Sequence, residues 1–138
     1  MATIRRFEDI EAWQTGRELC RLIYRLSNDG AFARDFTLRD QMRRAGISII
    51  SNIAEGFESR TQALFVDLLG RAKGSAGELR AQAYVALDAG YITADQHQEL
   101  STHAEKGSSQ LSRFLSYLQS HSEARSVQED QVQYVVDG

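Results

Sequence analysis

The stretch that decides the fold is QMRRAGISIISNIAEG, residues 41–56 of a chain of 138 residues. Its apolar residues recur at spacings of three and four, the repeat of an α-helix with one buried face. Together with the residue three positions upstream, this face consists of Leu38, Met42, Ala45, Ile49 and Ile53. The pattern predicts a helix that begins near Thr37 as its N-cap and ends at a glycine cap, Gly56.

Three other segments have the same periodicity. The first extends from about Asp9 to Asn28, and its apolar face contains Trp13, Leu19, Cys20, Ile23, Tyr24 and Leu26. After residues 41–56, a cap at Ser59 or Thr61 begins a third helix that Gly90 ends, and Thr93 caps a fourth. The core positions of these two helices are predicted to be Phe65, Leu68, Leu69, Ala72, Ala76, Leu79, Ala83, Ala86, Leu87, Leu100, Ala104, Leu111, Phe114, Leu115 and Leu118.

Four helices with short connections predict an all-α fold. The expected arrangement is an antiparallel up-down-up-down four-helix bundle over residues 1–121. Residues 122–138 are polar except for a short apolar run at 132–136. That tail is predicted to be flexible, and the alternative is an extended segment that docks on a neighbour.

The composition argues against several classes of function. The net charge is −3, so the protein as a whole is not a cation that coats nucleic acid or membrane. The single cysteine, Cys20, excludes an internal disulfide or a cysteine-built zinc site. No metal-ligand motif, phosphate loop, secretory signal or membrane-spanning run is visible. We therefore expect a cytoplasmic protein that has no cofactor, no membrane association and no enzyme activity.

Two surfaces carry more small and apolar residues than a monomer needs. On the helix at residues 41–56, Ile47, Ile50 and Ala54 form a second apolar face. This face predicts either a central position in the bundle or a subunit interface, and we favour the interface. On the third helix, Gly70, Gly74 and Gly77 lie opposite the core stripe, which predicts close approach of another helix or a glycine-tolerant exposed face. We therefore predict a homo-oligomer.

Polar residues form a further stripe on the helix at residues 41–56. The members share one face and are Gln41, Arg44, Ser48, Asn52 and Glu55. The stripe is a candidate for a buried polar network or a ligand groove. The alternative is a solvated face with salt bridges.

Arginine dominates the basic residues, with fourteen arginines and two lysines. Ten of the sixteen basic residues lie in the first sixty positions. The candidates for contact with RNA or DNA are Arg17, Arg21, Arg25, Arg39, Arg43 and Arg44. The alternative is a set of solvated salt bridges, because carboxylates at Glu11, Glu18 and Asp40 lie near them in the sequence.

Residues 41–56 resemble a known family, the four-helix-bundle proteins found in intervening sequences of bacterial large-subunit ribosomal RNA genes, also labelled as an S-type ribosomal protein. Residues 7–14, 74–79 and 90–92 are similar to its opening, its third-helix signature and the end of that helix. The resemblance covers about residues 7–118. The accessory variability determinant of diversity-generating retroelements belongs to the same group.

The resemblance implies a four-helix bundle without enzyme activity, commonly in a ring of five subunits. The retroelement members bind nucleic acid and a reverse transcriptase through a basic surface. This chain differs in having Ile50 where the family often has proline, and in being acidic overall. Its acidity argues against a partnership with a reverse transcriptase.

Overall fold

The computed structural model of the protein describes residues 2–121, 125–128 and 131–136. Its helices are α1 (Glu11–Leu26), α2 (Gly30–Arg34), α3 (Phe36–Glu58), α4 (Gln62–Asp88) and α5 (Ala94–Ser120). A 3₁₀ turn, Phe7–Asp9, precedes α1. The prediction of an all-α fold is confirmed for residues 11–120, whereas the two ends of the chain form strands. The first predicted helix is shorter than expected, since Asp9 belongs to the 3₁₀ turn and Asn28 lies beyond the end of α1.

The observed ends of the helix that contains residues 41–56 lie within two residues of the predicted ends, but the predicted caps are wrong. Asp35 caps α3, because its Oδ1 accepts a hydrogen bond of 3.1 Å from the Leu38 amide. Thr37 therefore lies inside the helix. At the other end α3 continues through Gly56 to Glu58. Gly56 is buried in the packing against α4 and does not end the helix.

The predicted starts of the last two helices are confirmed. Thr61 accepts a hydrogen bond of 3.2 Å from the Leu64 amide at the start of α4. Thr93 and Gln96 exchange bonds of 3.1 and 2.9 Å in a capping box at the start of α5. Gly90 has a φ of 77°, which only glycine adopts without strain, and it follows the end of α4 as expected.

The short helix α2 was not predicted, because the Ser27–Gly30 cluster is typical of a loop. Phe32 of α2 is buried, and its ring stacks on that of Tyr91 with 5.5 Å between centroids. The Tyr91 hydroxyl donates a 2.9 Å hydrogen bond to Oδ2 of Asp35. This hydrogen bond is the main cause of the raised pKa of Tyr91, and desolvation of the hydroxyl is the second cause. The same hydrogen bond joins the α4–α5 connection to the start of α3.

The four long helices enclose one core. Helix α1 packs against α3 and α5, and α4 packs against the same two helices. Most of the predicted core residues are buried, including Met42, Ile49 and Ile53 on α3. Tyr24, placed on the apolar face of α1 by its spacing, is instead 43% exposed.

The two ends of the chain meet in a small antiparallel sheet that the sequence did not predict. Strand β3 (Gln131–Val136) lies between β1 (Ala2–Ile4) and β2 (Arg125–Gln128). Thr3 pairs with Val135, and Ser126 pairs with Gln133. The predicted flexibility of residues 122–138 concerns motion and stays a prediction. Residues 122–124, 129–130 and 137–138 lie outside the described residues.

The packing of α3 against α4 generates a stability prediction at Gly56. A methyl group there would lie 2.6 Å from Cδ1 of Phe65 and 3.2 Å from Cβ of Leu68, both of which are buried. We expect Gly56→Ala to lower the free energy of unfolding by about 1–3 kcal/mol through overpacking. Urea denaturation followed by circular dichroism at one fixed protein concentration measures the change.

The matched control is Gly70→Ala on α4, where a methyl group would meet no heavy atom of the chain within 4 Å. Because Gly70 belongs to the predicted glycine face, light scattering must verify that this variant keeps the wild-type mass. Alanine has the better helix propensity, so this variant should gain up to about 1 kcal/mol. Equal changes in the two variants would contradict the proposed tight contact at Gly56.

Candidate functional site

Helices α1 and α3 approach each other closely at two glycines. A methyl group at Gly16 of α1 would lie 2.8 Å from Cγ2 of Ile50. A methyl group at Gly46 of α3 would lie 2.8 Å from Cδ1 of Ile23 and 3.4 Å from Sγ of Cys20. The backbones of α1 and α3 can pack this closely because neither Gly16 nor Gly46 has a side chain.

Two stripes of side chains flank this contact and form one surface. We call it the α1–α3 surface, and it consists of Trp13, Arg17, Cys20, Tyr24, Arg43, Ile47, Ile50 and Ala54, with Phe36 and Arg39 at one end. Each stripe has the spacing i, i+4, i+7, i+11, which keeps its members on one side of their helix. Ile47 is 41% exposed and Phe36 is 63% exposed, while Ile50 and Ala54 are half-buried. The predicted apolar face of α3 is thus partly open to solvent.

Three arginines of this surface lie over aromatic rings. The guanidinium carbon of Arg43 is 4.3 Å from the ring centroid of Tyr24, on the neighbouring helix. Arg39 lies 4.8 Å from the ring of Phe36. At the other end of the surface Arg17 lies 5.9 Å from the ring of Trp13. Such cation–π pairs hold the cationic groups beside apolar surface.

The six predicted nucleic-acid candidates do not form one patch. Arg17, Arg39 and Arg43 belong to the α1–α3 surface. The other three, Arg21, Arg25 and Arg44, are exposed at other positions on α1 and α3. An ion pair of 2.9 Å joins Arg21 to Glu18.

Two of the three arginines on the surface also have intramolecular partners. Arg43 donates to Oγ of Ser27 at 2.9 Å and to its carbonyl oxygen at 3.2 Å. Arg39 forms an ion pair of 2.9 Å with Asp40. The hydrogen bond that Arg39 donates to Asp40 is the main cause of the lowered pKa of the Asp40 carboxyl. Among the described residues, Arg17 is thus the arginine of this surface that has neither a hydrogen bond nor an ion pair, and Arg39 is the one paired with a carboxylate.

The predicted polar stripe of α3 divides into two parts. Ser48 and Asn52 are half-buried, and Ser48 shares a hydrogen bond of 2.8 Å with Ser75 of α4. The Asn52 amide donates to the Ser48 carbonyl at 2.8 Å and to Ser48 Oγ at 2.9 Å. The remaining members, Gln41, Arg44 and Glu55, are exposed. This geometry favours a polar network that fixes the position of α3 along α4 over a ligand groove.

The predicted glycine face of α4 is open. Gly70, Gly74 and Gly77 are exposed, and a methyl group at any of them would meet no heavy atom within 4 Å. Tyr84 and Val85, further along α4, are also more than half exposed. The face therefore has room for a second chain.

The residues with nucleophilic or metal-binding side chains are dispersed. In residues 2–121 no three His, Cys, Asp or Glu side chains are grouped to hold a metal ion. His103 donates from Nδ1 to the Glu99 carbonyl oxygen at 2.9 Å, and His97 packs on the ring of Tyr84. Cys20 is half-buried, and burial raises the pKa of its thiol to about 11.

Comparison with known proteins identifies the family of this chain. The sequence profile described as 23S rRNA-intervening sequence protein matches residues 8–113, which include all of α1, α3 and α4. The chain belongs to the 23S rRNA-intervening sequence protein family. The matched range contains both candidate surfaces and ends before the C-terminal strands.

A solved structure supports the fold of this intervening-sequence protein. It is the crystal structure, at 1.70 Å resolution, of a protein with unknown function from the S23 ribosomal protein family of Bacteroides thetaiotaomicron. The similarity has a TM-score of 0.70 at 21% sequence identity and covers 76% of this chain and 95% of the other. No curated protein matches the sequence.

The raised pKa of Cys20 generates a prediction on its reactivity. A thiol with a pKa of about 11 is mostly protonated at neutral pH, and only the thiolate is nucleophilic. We expect the alkylation rate of Cys20 to keep rising up to pH 10, whereas the rate of a free cysteine levels off near its pKa of about 8.5. Iodoacetamide labelling followed by mass spectrometry gives both profiles, and circular dichroism verifies that the protein stays folded. A plateau below pH 9 would contradict the prediction.

Proposed function

We propose that this family member is a non-enzymatic interaction protein that associates with copies of itself through the α1–α3 surface. The observation that carries the proposal is the exposure of large apolar side chains there, Tyr24, Phe36 and Ile47. Aromatic side chains and arginine are enriched at the centres of protein interfaces. The surface combines both types with exposed isoleucine.

We further propose that the four long helices form an antiparallel up-down-up-down bundle. Contacts between neighbouring helices support this topology, since residues later in one helix contact residues earlier in the next helix. On α3 and α4, Ser48 meets Ser75, whereas Gly56 meets Phe65. On α1 and α3, Gly16 meets Ile50, whereas Ile23 meets Gly46.

The proposed assembly is a homopentamer, the ring that the sequence resemblance implies. A ring requires contact between two unlike surfaces of neighbouring subunits. The α1–α3 surface and the glycine face of α4 supply two separate exposed faces for such a contact. The relation to retroelement accessory proteins stays an expectation, and the acidic composition argues against a reverse transcriptase as a partner.

We propose no catalytic role and a cytoplasmic location. The raised pKa of Cys20 supports the first part, because it disfavours the nucleophilic form of the one thiol. No helix in the described residues is long and apolar enough to cross a membrane.

The mass of the protein in solution tests the assembly. We expect Ile47→Glu to lower the mass measured by size-exclusion chromatography with light scattering, since an unpaired charge buried in an interface costs several kcal/mol. Gly74→Leu should change the mass distribution as well, because it fills the open glycine face. Helical content should stay intact in both variants, since both positions are exposed.

Gln41→Glu is the matched control, because it introduces the same side chain at an exposed position of α3 that lies away from the α1–α3 surface. We expect it to leave the mass unchanged. A wild-type protein with the mass of a single chain, or equal masses for wild type and Ile47→Glu, would contradict association through the α1–α3 surface.

Binding of single-stranded nucleic acid is a second candidate function for the same surface. The row of three arginine–aromatic pairs favours it, because aromatic rings stack on bases while arginine contacts phosphate. Weak sites would add up over the subunits of any assembly that leaves the α1–α3 surface open. The net charge of −3 restricts such binding to this local patch.

We expect binding to mixed-sequence single-stranded RNA to weaken steeply with salt if this second function holds. Arg17→Gln should lower the slope of log affinity against log salt concentration by about 0.7 for each phosphate that Arg17 neutralises. Arg113→Gln removes the same charge from an exposed position on α5 and should leave the slope unchanged. Fluorescence anisotropy measures both slopes, and undetectable binding at low salt would exclude this function.

A further inference from the structure

A cavity open to solvent lies at the end of the protein where α1 leads into α2, and none of its lining residues belongs to the α1–α3 surface. Its volume is about 420 Å³, which is in the range of small-molecule sites. Its walls come from α1, α2, the α4–α5 connection and the first turns of α5. Gly30 and Gly90, with φ of 66° and 77°, both line it, so two chain reversals meet here.

The cavity has an apolar floor. Its accessible part comes from Leu26, Ala31 and the Tyr91 ring, because Leu22 and Phe32 line the cavity but are only 3% and 2% exposed. The stacked rings of Phe32 and Tyr91 hold one wall in place. The Tyr91 hydroxyl is hydrogen-bonded to Asp35, so Tyr91 lines the cavity mainly with its ring.

Charges of both signs surround this floor. Arg25 comes from α1, Asp29 from the turn after it, and Glu99 from α5. In the part of the chain that the structure describes, none of the three forms an ion pair, although five such pairs occur elsewhere in that part. The Gln96 side chain uses its oxygen to accept from the Thr93 amide, which leaves its NH₂ group as a donor.

This combination favours one class of ligand. A simple anion would be attracted by Arg25 but repelled by Asp29 and Glu99. A simple cation would be attracted by Asp29 and Glu99 but repelled by Arg25. An uncharged apolar molecule would take all three charges partly out of water without pairing them, which is unfavourable. A ligand with a carboxylate, an ammonium group and an apolar side chain pairs the charges and covers the floor.

We propose that the cavity binds a zwitterionic ligand with an apolar side chain, either a free α-amino acid or a short peptide. Arg25 and the Gln96 NH₂ group bind its carboxylate. Asp29 and Glu99 accept hydrogen bonds from its ammonium group. Leu26, Ala31 and the Tyr91 ring contact its side chain.

Titrations with matched ligands test the chemistry, with saturation-transfer NMR on the full chain as the readout. The probes are leucine, glycine, leucinamide, N-acetylleucine and leucyl-leucine. We expect leucine to bind, and leucinamide, N-acetylleucine and glycine to bind roughly tenfold or more weakly, because each lacks one of the three contacts. Tighter binding of leucyl-leucine than of leucine would identify a peptide, and the reverse a free amino acid.

Variants test the location. Arg25→Gln and Glu99→Gln should each raise the Kd for leucine by roughly tenfold or more, and both positions are exposed, so folding is not at risk. Arg21→Gln, one turn earlier on α1 and outside the cavity, should leave the Kd unchanged. No saturation transfer from leucine, equal binding of leucine and leucinamide, or an unchanged Kd in both cavity variants would overturn the proposal.

Discussion

The backbones of α1 and α3 pack closely at Gly16 and Gly46, where the nearest side-chain atoms leave no room for a methyl group. This contact determines which side chains of the two helices become neighbours. It places Arg43 of α3 over the Tyr24 ring of α1, within 4.3 Å. A larger residue at either glycine would separate the helices and cost about 1–3 kcal/mol. The composition of the α1–α3 surface therefore depends on two residues that are not exposed on it.

The sequence predicts the inner faces of the long helices well, because burial follows the helical repeat directly. It fails where a residue's role depends on a distant neighbour. Gly56 has the local signature of a helix end, but α3 continues through it to Glu58, and the glycine is needed because the Phe65 ring of α4 lies where a side chain would be. Asp35 replaces Thr37 as the cap for a similar reason, since Tyr91 holds its carboxylate in place. The terminal sheet also depends on pairing between the two ends of the chain.

The candidate site was predictable only within single helices. Trp13 and Arg17 are four residues apart on α1, so their contact follows from local spacing. The contact between Tyr24 and Arg43 joins two helices and requires knowledge of their packing. For this reason the sequence assigned Ile47 and Ile50 to an interface and Arg17 and Arg43 to nucleic acid, whereas the structure places all four on one surface. The cavity that Arg25 lines is formed by four segments, which are α1, α2, the α4–α5 connection and α5. No sequence pattern predicted it.

The shared surface makes self-association and nucleic-acid binding dependent on each other. If a second copy covers the α1–α3 surface, the guanidinium of Arg17 loses its solvent, and a buried charge is tolerated only beside a carboxylate. An interface there must therefore include acidic residues of the neighbouring subunit, and it excludes RNA from the same arginines. In the proposed ring the glycine face of α4 meets that surface, and Asp67 and Glu78 are exposed beside its glycines. If copies instead meet glycine face to glycine face, which gives a dimer, the arginine–aromatic row stays open in both subunits. The face that a neighbour covers thus decides whether the assembled protein can bind nucleic acid at all.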